Sequence, residues 1–526
     1  MMFSGRPKEW GPLDWCVALV VVLALTGGLL IWQQTRPGPC GDGMDQHVDE
    51  CVGVTARAFE TGDAATDDLI RAVADENADV RRQWDDPQGN AARIPYVRIA
   101  LMMPFTSDAT SAMTPEMIQR ALAGALAAQQ QANRAGGPHY QLLLAPDGRD
   151  LDQWEGVVDR LDELTRDEEA PLVGVTGIPS STTETREAVT ELSGRAIPTV
   201  GPVITAASMN SRYFFKTSPN NDQFSRALAT YLKLHPENER GFLVWDSREG
   251  DVYSQNLRAV FEERFGDGYD LRKNNSHFIG SSGDDQGIPQ RFADAAEKIC
   301  RSKVDTVFFA GRDQDLPAFI NRLSETGSCD GSWKLRILKI GIGLEPTLST
   351  KAIERGLRTI DATIVDASAY DPAWADGKNS PPRGSAAFLA RFQEIEKAHG
   401  LGPSALDDGY AAMYYDGFGL LAGAVDRTYR EVNEGGTQTE QPVRLPTAKD
   451  VYSTLTTSTV DGSVCSGCLV GASGTYGFTG PGENDQWAVC KPVPVVEFPP
   501  ASDAADAKRQ SPYRTYRGDK TGVCPP

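Results

Sequence analysis

The sequence predicts an α/β protein of two similar lobes, each a parallel sheet flanked by helices, carried behind one membrane-spanning helix. Three observations point there. From Tyr96 onward short apolar runs alternate with helical periods. Those runs are continuous rather than alternating, which marks strands buried on both faces. And one uncharged stretch near the start is long enough to cross a bilayer.

The strand-like runs fall at 97–103, 142–144, 172–175, 197–200, 241–245, 305–309 and 335–340. Helical periods separate them. Thr114 stands as a cap with Pro115 at the first helical position, and apolar residues recur from there to Ala135. A helix runs through Trp154, Val158 and Leu161, another spans 182–192, and others follow the runs at 241–245 and 305–309. The stretch 96–499 is long for one such sheet, hence two lobes. In folds of this kind ligands bind outside the carboxyl ends of the strands, beside helix starts.

Residues 15–32 carry no charge and, at 1.5 Å per residue, make a helix of roughly 27 Å. Trp15 and Trp32 sit at its ends, where indole favours the headgroup level. Arg6 and Lys8 precede it, placing residues 1–14 in the cytoplasm as a short tail and the bulk of the chain outside. The alternative is a cleaved signal peptide, but no small-x-small site follows Trp32. Residues 33–95 form a stalk with a small cysteine loop and a helical stretch over 67–84. Residues 500–526 form a polar C-terminal tail.

Cysteine usage fits an oxidising compartment. Of nine cysteines, Cys16 lies in the apolar segment; Cys40, Cys51, Cys300, Cys329, Cys465, Cys468, Cys490 and Cys524 follow it, an even set. Cys40 with Cys51 and Cys300 with Cys329 are the expected bridges. Cys465-Ser-Gly-Cys468 sits among Gly, Ser and Thr with no nearby His, so a structural disulfide is favoured over a redox or zinc site. A net charge of −20 repels phosphate backbones, which argues against a nucleic-acid partner.

Catalytic patterns are scarce. The sequence has no Gly-x-Ser-x-Gly elbow, no phosphate-binding Gly-x-x-x-x-Gly-Lys-Ser/Thr and no His-Glu-x-x-His. The five histidines are scattered. Asp407-Asp408 stands before a helix, where two acids are a cap more often than an acid–base pair. No cofactor or metal is expected, and the chain is not read as an enzyme.

The loops after the strands offer more. The loop 177–183 follows a strand and opens a helix; its hydroxyls and free backbone N–H groups either cradle a carboxylate or simply cap the helix. Thr205 stands after the next strand. Arg312 and Asp313 stand after a later one, and Glu345 after the run at 335–340. Hydroxyls, an arginine and an acid at several strand ends suit a small zwitterion.

With these residues in place, the chain from Val97 to about Phe498 resembles the type I periplasmic binding proteins, in particular their leucine/isoleucine/valine-binding branch. The resemblance lies in Ala196-Ile-Pro-Thr-Val-Gly-Pro202, Tyr213-Phe-Phe-Lys-Thr-Ser-Pro-Asn-Asn-Asp-Gln223, Val304-Asp-Thr-Val-Phe-Phe-Ala-Gly311 and Tyr410-Ala-Ala-Met-Tyr-Tyr-Asp-Gly417. It implies two lobes joined by three crossovers that close on an amino-acid-like ligand. It further implies that Ser181 or Thr182, with Val203 and Thr205, take the ligand carboxylate, that Tyr253 covers the ligand, and that Glu345 meets its ammonium group. Arg312 stands where the family often has an aromatic; it either favours a ligand with a second anionic group or pairs with Asp313. The function implied is solute binding for a permease of the ABC importer type. A membrane-tethered sensor or interaction module with a degenerate pocket is the rival reading.

Overall fold

The computed structural model describes residues 40–86, 93–236, 240–280, 291–344, 348, 350–433, 443–461, 464–500, 513–515 and 524. The expected anchor over 15–32 and tail over 1–14 lie outside the described residues. Among the described residues no helix is long and apolar enough to cross a membrane.

The segment that follows Cys40 is built onto the first lobe. A hairpin of β1 (Met44–His47) and β2 (Glu50–Gly53) is tied by the Cys40–Cys51 disulfide. Just beyond it, Thr55 and Leu144 exchange backbone hydrogen bonds of 2.9 and 2.8 Å, so the chain extends the edge of a sheet. Next comes α1 (Ala64–Asp85), capped by the Asp63 carboxylate, which accepts from the Thr66 N–H. Its stripe of Leu69, Ile70, Val73 and Val80 is buried. Asn77, at its centre, donates to the Leu142 carbonyl and accepts from the Leu142 N–H, both at 2.8 Å. A buried amide satisfied on both sides fixes the register of helix on sheet.

The first lobe runs β3 (Tyr96–Met102), α2 (Pro115–Asn133), β4 (His139–Ala145), α3 (Trp154–Leu164), β5 (Leu172–Thr176), α4 (Thr183–Gly194), β6 (Thr199–Gly201) and β7 (Phe214–Lys216). Thr114 caps α2, with Pro115 at its first position. The strands form one parallel sheet in the order β4-β3-β5-β6-β7.

The chain then crosses to the second lobe: α5 (Asn221–Leu234), β8 (Gly241–Asp246), α6 (Val252–Tyr269), β9 (Asn275–Phe278), α7 (Ala293–Arg301), β10 (Thr306–Ala310), α8 (Leu316–Glu325), β11 (Leu335–Gly341), α9 (Lys351–Thr359) and β12 (Ala362–Ser368). It returns to the first lobe for α10 (Ser385–His399), α11 (Tyr410–Asn433) and α12 (Ala448–Thr456). Two short hairpins follow, β13 (Val460–Asp461) with β14 (Val464–Cys465) and β15 (Leu469–Gly471) with β16 (Gly474–Tyr476). A last crossing passes through β17 (Pro492–Val493) to β18 (Val495–Phe498). That strand pairs antiparallel with β12 at the edge of the second sheet, whose order is β18-β12-β11-β10-β8-β9. The remaining neighbours in this sheet are parallel.

Chain therefore passes between the lobes near 217–220, 369–384 and 488–494. The C-terminal tail is not loose where it is described: β19 (Tyr513–Arg514) pairs with β17 at the third crossing. Disulfides also join Cys300 to Cys329, Cys465 to Cys468 and Cys490 to Cys524. The last of these fastens the tail to the same crossing.

Candidate functional site between the lobes

Both sheets present the carboxyl ends of their strands to one cleft, so the loops that follow those strands meet there. From the first lobe come the turn after β5, with Ser180 and Ser181, and the turn after β6, with Val203 and Thr205. From the second come Tyr253 in the first turn of α6, Arg312, Asp313 and Gln314 after β10, and Ile340 to Gly343 at the end of β11. Met117 of α2 and Tyr410 at the start of α11 complete the wall. The cavity they line is about 80 Å³. A wider mouth of about 640 Å³, lined by Thr182, Glu184, Asp150, Asp152 and Glu249 among others, adjoins it through Ala112 and Arg312.

Two glycines make this meeting possible. Gly177 has φ +98°, and a Cβ there would lie 2.5 Å from the Leu101 side chain. Gly343 brings the end of β11 against the backbone before α11, where a Cβ would come within 2.5 Å of the Asp408 carbonyl. Asp408 is itself fully buried; it accepts from the Tyr410 N–H at 3.1 Å and from Arg120 at 2.6 Å. Of the acids at 407–408, Asp408 is thus both a cap and half of a buried ion pair.

Ser181, Val203, Thr205, Tyr253 and Arg312 all line the inner cavity. Thr205 is 3% exposed, and its hydroxyl makes no hydrogen bond to protein among the described residues. The Ser181 hydroxyl accepts a long bond of 3.4 Å from the Ala206 N–H. Thr182 faces the outer mouth instead, and its hydroxyl is the N-cap of α4, accepting from the Thr185 N–H at 3.2 Å. Glu345 lies outside the described residues.

Arg312 does not pair with its neighbour Asp313. Its Nε and Nη2 donate side by side to the two oxygens of Asp251, at 2.9 and 3.0 Å, and its Nη1 donates to the Ser180 hydroxyl at 2.9 Å. Burial pushes the Asp251 carboxyl up, but Arg312 and Arg248 outweigh it and hold the group below the ordinary carboxylate value. Asp313 turns to Lys339, 2.9 Å away, which also lies 3.0 Å from Asp366. Burial would deprotonate that lysine; the two carboxylates override it and raise its pKa. Each cation at the cleft is therefore already matched by carboxylates. An anionic group on a ligand would meet neutral donors and a compensated guanidinium rather than a free positive charge.

Tyr253 forms a fixed wall. Its hydroxyl donates to the Ile340 carbonyl at 2.6 Å, and its ring lies beneath the Arg312 guanidinium, 5.8 Å from its centre. Asp251, Gln314, Met117 and Tyr410 were not singled out as site residues from the sequence, and Ser180 only as one hydroxyl of the loop 177–183. Asp251 is the N-cap of α6, accepting from the Ser254 N–H at 3.2 Å; its salt bridge to Arg312 spans two loops that only the fold brings together. Lys339 carried a usable signal, a charge inside a buried strand, which demands buried partners. Among the described residues no cluster of His, Cys, Asp or Glu has an arrangement that would hold a metal ion.

This architecture is the type I periplasmic-binding fold. The leucine-binding protein LivK of Thermotoga maritima superposes with a TM-score of 0.53 at 15% identity, over 76% of this chain and 94% of that one. The branched-chain amino acid substrate-binding protein LivJ of Streptococcus pneumoniae, in complex with isoleucine, gives 0.52 at 14% identity, over 76% and 95%. An amino acid ABC transporter substrate-binding protein of Pseudomonas fluorescens gives 0.52 at 12% identity, over 81% and 98%. These structures are solute-binding proteins rather than enzymes. No protein-family model matches the chain, and no curated protein matches it in sequence.

Proposed function

We propose that the chain binds a small solute with a single carboxylate in the cleft between its lobes, and that opening and closing of the lobes is its working motion. One observation carries this reading. The Thr205 hydroxyl, without a protein partner among the described residues, lines the cleft cavity together with Ser181 of its own lobe and Tyr253 of the other. A hydroxyl in so buried a place is a ready donor to a carboxylate oxygen. Met117, Val203, Ile340 and Ile342 give the cavity an apolar side suited to a short aliphatic body. LivJ, whose fold this chain shares, was solved with isoleucine.

The module is held to a membrane by residues 15–32, with its lobes outside the cytoplasm, and serves either a permease of the ABC type or a tethered receptor. The second role gains from the cleft, where several polar groups on facing loops already bond one another. A thermal-shift screen of amino acids, short-chain monocarboxylic acids and dicarboxylic acids tests the reading. A solute at 100 times its dissociation constant stabilises by about 2.7 kcal/mol, a clear rise in Tm. The expected hits are monocarboxylates, with dicarboxylates silent. No shift from any of them would remove the importer role.

A further inference from the structure

In a two-lobed binding protein the solute ordinarily closes the cleft by bonding both lobes at once, and closure follows its differential affinity for the closed state. In this chain a protein side chain makes that double contact. Arg312 belongs to the second lobe, and its Nη1 donates to the Ser180 hydroxyl of the first at 2.9 Å, inside the cavity that both residues line. Its other edge is fixed by the paired bonds to Asp251.

Asp251 cannot follow if Arg312 swings away. Its carboxylate also accepts from Arg248 Nη2 at 2.7 Å, from the Ser254 hydroxyl at 3.0 Å and from the Ser254 N–H at 3.2 Å. Arg248 is anchored in turn to Asp246 at 2.9 Å, and Asp246 accepts from the Gly280 N–H at 2.9 Å. The whole chain of charges sits in the second lobe and points one guanidinium nitrogen at the first.

The helix starts repeat the pattern. The first N–H groups of a helix have no acceptor within it and are the usual cradle for a ligand carboxylate. Here the Thr183 N–H, at the start of α4, donates across the cleft to the Gly250 carbonyl at 3.2 Å. In return the Tyr253 N–H, in the first turn of α6, donates to the Ser181 carbonyl at 3.0 Å. Gln314 Nε2 adds a bond of 3.3 Å to the Ser111 carbonyl. Two amides that a solute would otherwise recruit are bonded to the opposite lobe.

We propose that Arg312, held by Asp251, is an interlobe latch that keeps the cleft closed through protein contacts alone. The Ser180 oxygen already accepts from the guanidinium, so a solute either shares Ser180 with Arg312 through the remaining O–H or displaces Arg312 from it. Closure is then the resting condition, and binding adds to or replaces cross-lobe bonds that already exist.

Hydrogen exchange on the full chain, with no solute added, tests this separately from any binding activity. The amides of Thr183 and Tyr253 have no acceptor within their own helices, so their protection reports the closed cleft directly. The measurement compares the wild type with Arg312→Ala and with Ser180→Ala, the second of which leaves the Arg312–Asp251 pair in place. Strand β3 serves as a control for global unfolding. The expected result is slow exchange at both amides in the wild type, accelerated roughly tenfold or more in each variant, the effect of losing a hydrogen bond with a charged donor, with β3 unchanged. Rapid exchange at the two amides in the wild type would overturn closure at rest. Slow exchange that survives in Ser180→Ala would overturn Arg312 as the latch.

Discussion

Two buried cations, one at the crossings between the lobes and one in the cleft, use the same chemistry for different ends. At the crossings Lys491 is fully buried. It donates to the Thr217 carbonyl at 2.8 Å and to the Ser473 hydroxyl, stands 3.8 Å from Asp416, and lies over the Tyr476 ring at 4.4 Å. In the cleft Arg312 has Asp251 as its acid and Ser180 as its hydroxyl. The difference lies in what each network spans. Lys491 joins the third crossing to the first, and Asp416 accepts from the backbone N–H groups of Ala472 and Ser473 at 2.6 and 3.1 Å. These contacts tie α11, the turn of the β15–β16 hairpin and two crossings to one another. Arg312 meets the first lobe through one hydroxyl, a bond that opening can break. A fully desolvated charge bound to backbone acts as a pin, whereas a charge with one contact on a separable surface acts as a latch.

Breaking the pin has the largest expected effect. Asp416→Ala leaves Lys491 buried with dipoles alone and is expected to lower stability by roughly 3–5 kcal/mol in chemical denaturation. An unchanged midpoint would mean that the crossings are not fastened by this pair. Next is the bridge that ties the tail to the same crossing, closing 34 residues of sequence separation. Replacing Cys490 and Cys524 together by serine is expected to lower stability by roughly 2–4 kcal/mol, seen as an earlier unfolding transition under oxidising conditions. A transition unmoved by that double change would detach the tail from the account.

A third buried ionisable group sharpens the contrast because no cation pairs with it among the described residues. Asp147 is 4% exposed, and burial, with Glu50 and Asp152 adding to it, pushes its carboxyl from an ordinary 3.8 to about 8. The folded state holds this proton where the unfolded state releases it, so between pH 4 and pH 8 the unfolded state binds fewer protons and stability falls as pH rises. The slope is at most about 1.4 kcal/mol per pH unit. Asp147→Asn should flatten it and raise neutral-pH stability, while leaving stability near pH 4 little changed. A pH profile identical to the wild type would show that Asp147 titrates normally.

Much of this was legible in the sequence, and the exceptions have physical reasons. The runs at 97–103, 172–175, 241–245 and 335–340 became strands almost residue for residue, because continuous apolar stretches on a doubly covered sheet leave no alternative. Strand β12 was not read from the sequence; it carries Thr363 and Asp366 much as β11 carries Arg336 and Lys339, and Asp366 is tolerated there because Lys339 lies on the neighbouring strand. Strand β9, a polar edge strand, gave no signal. Within the site, Thr205 was legible as a hydroxyl after a strand and Tyr253 through the family resemblance, and five of the expected residues do line one cavity. The pairing of Arg312 was not legible. Asp313 is adjacent in sequence and Asp251 is remote, and only the meeting of two loops decides between them. The polar tail gives no sequence signal of packing apart from Cys524, yet Thr515 is fully buried and bonded to the third crossing.

The central claim, that a carboxylate solute binds between the lobes at Thr205, is tested most directly by calorimetric titration. The solute found by thermal shift is titrated into the wild type and into Thr205→Ala. The account predicts a single site whose affinity falls by roughly tenfold or more in the variant, since a buried carboxylate loses a donor. Equal affinity in the two proteins would place the solute elsewhere and contradict it.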